Sequence, residues 1–246
     1  MSQSILTVDQ VLTNVSGSQS PQFKDQLNDY VLGMVYANAA ARSERNKVDN
    51  DPESAAQTFN NQWSNILGKI GWVLTSAGTT QMSSSNGQTT TIADRIKLLS
   101  GGSTSTISQV IDTLKELTES DNPDETELLE LWWQKATQET LMQGSLGQLV
   151  PSQNGLSFEI FSFTIDLKKL QTPATRILER QHHPLDISSA KAMYFKVLTS
   201  GINITTSNLS AVLQDDVWAT QKDEVANRVG SKVIEHYKTL PTDMLG

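Results

Sequence analysis

The stretch Leu156–Leu167, LSFEIFSFTIDL, is the part of the chain that decides the fold. Leu156, Phe158 and Ile160 alternate on one side of an extended strand, and from Phe161 onward the apolar positions move to the other side. Side chains of a strand point alternately to the two faces of a sheet, so this change of phase indicates either burial on both faces or a bulge where the phase changes. In both cases the stretch is predicted to be a central strand.

Two pairs of helices are predicted before this strand. A proline after a capping residue marks the starts at Ser20-Pro21 and Asp51-Pro52, and apolar residues follow at helical spacing in both segments. The second pair consists of an amphipathic stripe over Ile107–Leu117 and a helix that opens at Asn122-Pro123 and carries Trp132-Trp133. Both pairs are expected to pack against the sheet.

The rest of the chain carries weaker signals. Gly144 and Gly147 are expected to end the tryptophan-bearing helix, and Trp72–Thr75 is predicted as a short strand. Asn86-Gly87 is typical of a two-residue turn that joins its polar flanking segments in a hairpin. After Pro173 the apolar spacing favours helices, with segments at Ala190–Leu198, Leu209–Leu213 and Val225–Tyr237.

The chain is predicted to form a single domain of the α+β class. Its 246 residues suffice for a substantial core, and no linker or internal repeat divides them. Residues 1–20 are expected to be a loose, polar N-terminal lead-in, and residues 21–246 the domain itself. Because helical and extended segments do not alternate regularly, we expect a small, mainly antiparallel sheet covered by helical hairpins on both faces.

Composition excludes several classes of function. The formal net charge is -8, and no cluster of Lys and Arg is interleaved with aromatic residues, so nucleic acid is not expected as a partner. Cysteine is absent, which excludes disulfides, thiolate catalysis and thiolate metal sites. The first residues have neither a basic segment nor an apolar core typical of a Sec signal. We therefore expect a bacterial protein that is released or secreted by a non-classical route.

The sequence also offers little catalytic chemistry. His182-His183 and Asp186 form its single histidine cluster, but adjacent histidines on an extended segment point apart, so solvated histidines in a loop are favoured over a metal site. No nucleophile elbow, phosphate loop or dinucleotide fingerprint is present. Asp215-Asp216 and Asp223-Glu224 are assigned to helix starts or solvated faces, although a glycosidase pair stays open because such pairs have no fixed spacing. We expect a protein that is not an enzyme and has no cofactor or metal.

Aromatic residues are the candidates for membrane interaction. Burial of one ring contributes about 2–3 kcal/mol, so at least one ring of Trp132-Trp133 is expected in the core. The second ring is the candidate for a lipid headgroup boundary, where tryptophan is favoured. Phe161 and Phe163 of the central strand complete this set of candidate residues.

Four segments resemble the Cyt-type cytolytic delta-endotoxins of insecticidal bacteria. Residues 28–41 (NDYVLGMVYANAAA) and 108–117 (SQVIDTLKEL) are similar to two helices of that family. Residues 128–140 (LLELWWQKATQET) resemble its tryptophan-bearing segment, and residues 157–169 (SFEIFSFTIDLKK) one of its long strands. The resemblance implies a single domain in which helical hairpins sheathe a central sheet, and a protein that permeabilises membranes.

Two functions are compatible with the sequence. The first is a membrane-active, pore-forming or membrane-permeabilising toxin or virulence protein, soluble before it inserts, with the lipid membrane of target cells and further copies of the chain as partners. The second is a non-enzymatic structural or binding protein of a bacterial or phage assembly. A polar surface and the lack of catalytic motifs suit both functions equally.

Overall fold

The computed structural model describes residues 2–17, 21–47, 52–83, 89–91, 104–138, 141–152, 155–166, 196–198 and 203–241. Over these ranges the helices are α1 (Pro21–Arg45), α2 (Pro52–Lys69), α3 (Thr104–Glu119), α4 (Pro123–Ala136), α5 (Asp215–Val229) and a 3-10 helix (Gly230–Glu235). The strands are β1 (Ser2–Val8), β2 (Val11–Gly17), β3 (Trp72–Ser83), β4 (Thr89–Thr91), β5 (Thr137–Gln138), β6 (Leu141–Ser152), β7 (Gly155–Asp166), β8 (Lys196–Leu198), β9 (Asn203–Leu213) and β10 (Tyr237–Pro241).

One large sheet organises the described residues. Its strands lie in the order β10-β1-β2-β6-β7-β9-β3, and short β5 adds to β6. The pairing of β2 with β6 is parallel and the other pairings are antiparallel. Strands β4 and β8 form a separate antiparallel pair. Helices pack against this sheet, so the predicted α+β class with a mainly antiparallel sheet is confirmed.

Helix starts follow the predicted capping signals. Pro52 and Pro123 are the first residues of α2 and α4, and α1 begins at Pro21. At the start of α4 the Asn122 side chain accepts a hydrogen bond from the backbone N–H of Asp124 at 3.0 Å. A capping oxygen satisfies a donor that the helix itself leaves unpaired, which is why this helix begins here.

Strand β7 is the central strand predicted from LSFEIFSFTIDL. Its register with β6 and β9 runs without a shift, so the change of phase at Phe161 is not a bulge. Phe158 and Ile160 join a core cluster with helices α1 and α2 on one side, called here the α1–α2 face. Phe161 and Phe163 are buried on the opposite side, called here the α3–α4 face. Burial on both faces is therefore the correct alternative.

Residues 2–17 do not form the loose lead-in that the sequence suggested. They form the hairpin of β1 and β2, which lies between β10 and β6 inside the sheet. The apolar residues of these strands include adjacent pairs, Ile5-Leu6 and Val11-Leu12, and Thr7 and Thr13 are buried with them, so the simple alternation that predicts a half-buried strand is missing. The hairpin's apolar side chains are almost fully buried: Ile5, Leu6, Val8, Val11, Leu12 and Val15.

Three further predictions about local structure are wrong. Lys196–Leu198 forms strand β8 rather than the end of a helix over Ala190–Leu198, and the earlier residues of that segment lie outside the described ranges. Leu209–Leu213 belongs to strand β9 rather than a helix, because Leu209, Ala211 and Leu213 alternate at period two and are buried together. Gly144 and Gly147 do not end a helix but lie within β6. Each glycine sits where a neighbouring strand approaches closely, and this explains why no side chain is present there.

The predicted hairpin around Asn86-Gly87 is also wrong in its pairing, since β3 pairs with β9 and β4 pairs with β8. The turn itself lies outside the described residues, as do His182, His183 and Asp186. The predicted strand at Trp72–Thr75 is confirmed as the beginning of the longer β3.

Gly147→Ala is expected to lower the free energy of unfolding by about 1–3 kcal/mol, because an added methyl overpacks the sheet. Its Cβ would lie 2.7 Å from the backbone oxygen of Glu159 on the neighbouring strand. Gly68→Ala in α2 is the matched control, because its Cβ would have no neighbour within 4 Å. The control is expected to gain about 0.5–1 kcal/mol from helix propensity. Urea denaturation of both variants measures the difference, and equal stabilities would contradict the packing of β6 against β7.

Candidate functional site

The four candidate residues for membrane interaction lie together inside the protein. Trp132 and Trp133 come from α4, Phe161 and Phe163 from β7, and each side chain is at most 2% exposed. Strand β7 directs its two rings to the face on which α3 and α4 pack. In this folded state the four residues are core, so contact with lipid requires α3 and α4 to move away from the sheet.

The two adjacent tryptophans differ in their hydrogen bonding. Trp132 donates its indole N–H to the backbone oxygen of Gln10 at 2.9 Å. The buried indole N–H of Trp133 has no hydrogen-bond partner among the described residues. The two rings are 6.1 Å apart between centroids and inclined at 55°. One tryptophan therefore fastens α4 to the turn between β1 and β2, while its neighbour buries an unsatisfied donor.

Unsatisfied indoles also occur on the α1–α2 face. Trp63, Trp72 and Trp218 are buried, and within the described ranges the N–H of each lacks a hydrogen-bond partner. Trp72 contacts the rings of Tyr30 and Phe158 at centroid distances of 5.9 and 4.8 Å, so aromatic packing fixes it without serving its N–H. A buried donor without a partner costs about 1–3 kcal/mol. Four of the chain's five tryptophans have no partner for the indole N–H in the described part of the chain, whereas native interiors leave few polar groups unpaired.

Phenylalanine substitution separates the two kinds of tryptophan. Trp132→Phe removes a hydrogen bond, whereas Trp133→Phe removes an unsatisfied donor, and both lose the same indole volume from the same helix. Trp132→Phe is therefore expected to be less stable than Trp133→Phe by about 1–3 kcal/mol in urea denaturation. Equal losses in the two variants would show that the Trp133 N–H is satisfied in solution.

A second feature is a polar cluster at the turn between β1 and β2. Asp9 occupies this turn with a φ of 51°, a left-handed conformation that is uncommon outside glycine, and its side chain is almost fully buried. Its carboxylate accepts a hydrogen bond from Nδ1 of His236 at 2.7 Å and one from Asn38 of α1 at 3.3 Å. Arg42 of α1 lies 3.6 Å from the same carboxylate. The carboxylate can only accept here, so Nδ1 of His236 is the donor of this hydrogen bond.

Gln10, the second residue of this turn, extends the cluster to other elements. Its side chain bonds to Asn38 at 3.3 Å and accepts a hydrogen bond from Arg42. Its backbone oxygen accepts from Trp132 and, at 2.8 Å, from the backbone N–H of Ser145 in β6. The turn therefore ties together α1, α4, β6 and the segment that leads into β10.

Electrostatics keep Asp9 charged in this buried position. Burial raises the pKa of Asp9, but the hydrogen bond from His236 and the positive charges of Arg42, His236 and Lys135 outweigh it, and the pKa is lowered overall. An Asp–His pair of this kind orients a catalytic base in hydrolases. Within the described ranges, however, no hydroxyl bonds to the other nitrogen of His236. The geometry is that of a structural tie between elements.

A cavity of about 320 Å³ lies under α3 on the same side of the sheet as Leu146 and Phe161. Its lining is polar throughout and includes two carboxylates, so it suits neither an acyl chain nor an anion. The lining residues are Ser4, Asn14, Ser16, Gln109, Asp112, Thr113, Glu116 and Gln148.

The described ranges contain neither a cluster of metal-ligating residues nor a membrane-spanning helix. Among these residues, no three His, Asp or Glu side chains come together as a metal site. No helix in the same ranges combines the length and the apolar character that crossing a bilayer requires.

Sequence reasoning found Trp132 and Trp133 but missed the cluster at Asp9. Asp9 and His236 are far apart in the chain, and nothing in the sequence links them. The usable signal was the short run Asp9-Gln10 between two alternating segments, which is typical of a hairpin turn. Trp63, Trp72 and Trp218 were visible as apolar residues, but their unsatisfied donors became evident only in the packed structure.

Comparison with solved structures gives distant similarity only. No protein-family model matches the chain, and no curated protein matches its sequence. Among solved structures, the chain is similar to the one described as "Structure of the Evf virulence factor", with a TM-score of 0.41 and 13% sequence identity. The similarity covers 89% of this chain and 76% of that chain.

Proposed function

We propose that this protein is a membrane-active virulence protein whose folded state opens at a target membrane and permeabilises it. The observation that carries the proposal is a set of buried indole N–H groups that find no partner among the described residues, at Trp63, Trp72, Trp133 and Trp218. The resemblance of four sequence segments to cytolytic toxins points to the same class of function.

Tryptophan is favoured in the headgroup region of a bilayer, because both its apolar ring and its polar N–H find suitable partners there. The ring lies against apolar chains, and the N–H bonds to water or to a headgroup oxygen. Each indole that moves from this protein core to such a boundary keeps its apolar contacts and recovers the roughly 1–3 kcal/mol of its unsatisfied donor. The membrane therefore binds an opened state better than the closed one, which is the requirement for a ligand to shift a conformational equilibrium.

Helix α4 is the element whose movement exposes the candidate residues. Its buried side carries Trp132 and Trp133, and the helix packs against β6, the neighbour of the strand that carries Phe161 and Phe163. The hydrogen bond from Trp132 to Gln10 holds the helix against the turn of β1 and β2. With a net charge of -8, the protein is not drawn to anionic lipid by electrostatics, so we expect apolar and tryptophan contacts to dominate.

Dye release from liposomes tests the proposal. Neutral, anionic and sterol-containing vesicles are each incubated with micromolar protein at acid and neutral pH, and brominated lipids report tryptophan insertion as loss of fluorescence. Leakage and quenching are expected together in at least one composition. The absence of leakage under all of these conditions would contradict the proposal.

The pair of α4 variants makes this test specific. Trp132→Phe loosens α4 and is expected to speed leakage by about two- to tenfold, because about 0.5–1.5 kcal/mol of closed-state stabilisation is lost. Trp133→Phe relieves the unsatisfied donor and removes a headgroup anchor, so it is expected to slow leakage. An equal change of the leakage rate in both variants would contradict a role of the indole N–H groups in permeabilisation.

A role in a protein assembly is the second candidate function. It is favoured by one observation, the uncharged outer edge of strand β3, which among the described residues pairs only with β9 on its inner side.

A further inference from the structure

Strand β3 forms one edge of the sheet. In the described part of the chain it pairs with β9 alone, so its outer row of backbone N–H and C=O groups has no strand partner. Such an edge is a template for strand addition unless charges, proline, a bulge or a covering element protect it. The sheet has two edge strands, β10 and β3, and they differ in these protective features.

The edge at β10 is protected. This strand has five residues, and its Lys238 forms ion pairs with Asp124 at 3.3 Å and with Glu127 of helix α4. Lysine on an edge strand opposes the approach of another chain, because pairing would desolvate its charge.

The edge at β3 has neither charge nor proline. Its twelve residues, WVLTSAGTTQMS, include no Asp, Glu, Lys, Arg or Pro. Val73 and Leu74 are 42% and 36% exposed, although both are apolar. A register shift between Leu74 and Ser76 is the one protective device on this strand. Residues 76–83, which follow this shift, pair with β9 in regular register.

We propose that residues 76–83 of β3 pair, antiparallel, with the same residues of a second copy of this chain. Backbone groups of a sheet edge are satisfied by an extended strand, and the edge of an identical molecule is such a strand. Copies that each carry a net charge of -8 repel one another over most of their surface, whereas two uncharged β3 edges meet without like charges. Antiparallel pairing of identical edges has two-fold symmetry, so the assembly closes as a dimer with one continuous sheet.

The mass of the full chain in solution, without lipid, tests this dimer. Sedimentation is expected to show a rise from the 27.0 kDa of one chain toward twice that mass as concentration increases. Thr79→Lys places a charge in the middle of the paired segment and is expected to weaken dimerisation by about tenfold or more. Thr220→Lys on the exposed surface of α5 is the matched control, with the same substitution and the same net charge, and is expected to dimerise like the wild type.

Single cysteines give a second measurement that does not depend on the folding of Thr79→Lys. Because the chain has no cysteine, a disulfide-linked dimer forms only through the introduced residue. Oxidation of variants at each position from 76 to 83 is expected to give cross-linked dimer at one or two neighbouring positions near the two-fold axis, and none at Thr220→Cys. A chain that stays monomeric up to about 1 mM, equal dimerisation of the two lysine variants, or cross-linking without a maximum on β3 would each overturn the proposal. Lipid takes no part in this test, so its failure would leave the proposed membrane activity untouched.

Discussion

Asp9→Ala is expected to lower the free energy of unfolding by about 3–5 kcal/mol, because it removes one partner from a buried charge cluster. The carboxylate is held by His236, Asn38 and Arg42, and all three would lose their acceptor in the variant. Alanine at a φ of 51° adds about 1–2 kcal/mol of backbone strain, since its Cβ crowds the chain in the left-handed region. Urea denaturation at neutral pH measures the loss.

Asp9→Asn separates the charge from the backbone conformation. Asparagine tolerates the left-handed region and keeps the shape of the side chain, so its loss of stability reports the charge alone. Asp9→Gly relieves the conformation and deletes the side chain. If all three variants were as stable as the wild type, the cluster at the turn would not form in solution.

The pH dependence of the same variant has a definite sign. Because the folded-state pKa of Asp9 lies below the ordinary value of 3.8, the unfolded chain binds its proton first as acid is added. The contribution of Asp9 is therefore complete above pH 3.8 and is lost as the pH falls through the lowered folded-state pKa. Wild type is expected to lose stability more steeply than Asp9→Asn in this acid range. Parallel curves for the two proteins would contradict this assignment.

Phe161→Ala is also expected to have a large effect, lowering the free energy of unfolding by about 3–5 kcal/mol. Its ring is buried on the α3–α4 face of the central strand, where removal of the ring leaves a cavity that the flanking strands cannot fill. Phe161→Leu keeps much of the volume and is expected to lose less than about 1.5 kcal/mol. Thermal unfolding of the two variants measures the contrast.

The same substitution also bears on the proposed activity. Weaker packing under α3 and α4 makes the closed state easier to open, so Phe161→Ala is expected to release dye faster than Phe161→Leu at a temperature where both are folded. A stable Phe161→Ala protein would show that the ring is not part of the core and would contradict two-sided burial of β7.

Local rules predicted the parts of this fold in which a single segment determines its own structure. Asn122-Pro123 begins α4 because a capping oxygen and a proline act within one turn, and the two-sided pattern of β7 follows from burial on both faces. Residues 2–17 and Leu209–Leu213 were misassigned because their structure depends on distant strands that complete the sheet. For Leu209, the presence of helical spacing competed with a period of two, and the sheet decided between them.

For the candidate site, too, the sequence predicted the features that one segment determines and missed those that depend on tertiary contacts. Tryptophans on an amphipathic helix mark a buried or interfacial surface, and the sequence pointed to Trp132 and Trp133 on that ground. Their division into a satisfied and an unsatisfied donor depends on the backbone oxygen of Gln10, which a tertiary contact brings to one of them. The partnership of Asp9 with His236 arises in the same way and lies beyond any local pattern.

The pairing of β1 with β10 determines which part of the sheet can form last during synthesis. Residues 4 and 241 are register partners, so this side of the sheet stays incomplete until nearly the whole described chain has been synthesised. Contacts between such distant residues form slowly, because the loop between them must close before any hydrogen bond compensates. His236 arrives at Asp9 in the same step, and with it the turn that holds α1 and α4. A nascent chain therefore lacks these contacts until residues 236–241 have left the ribosome, and the closed state cannot form before then.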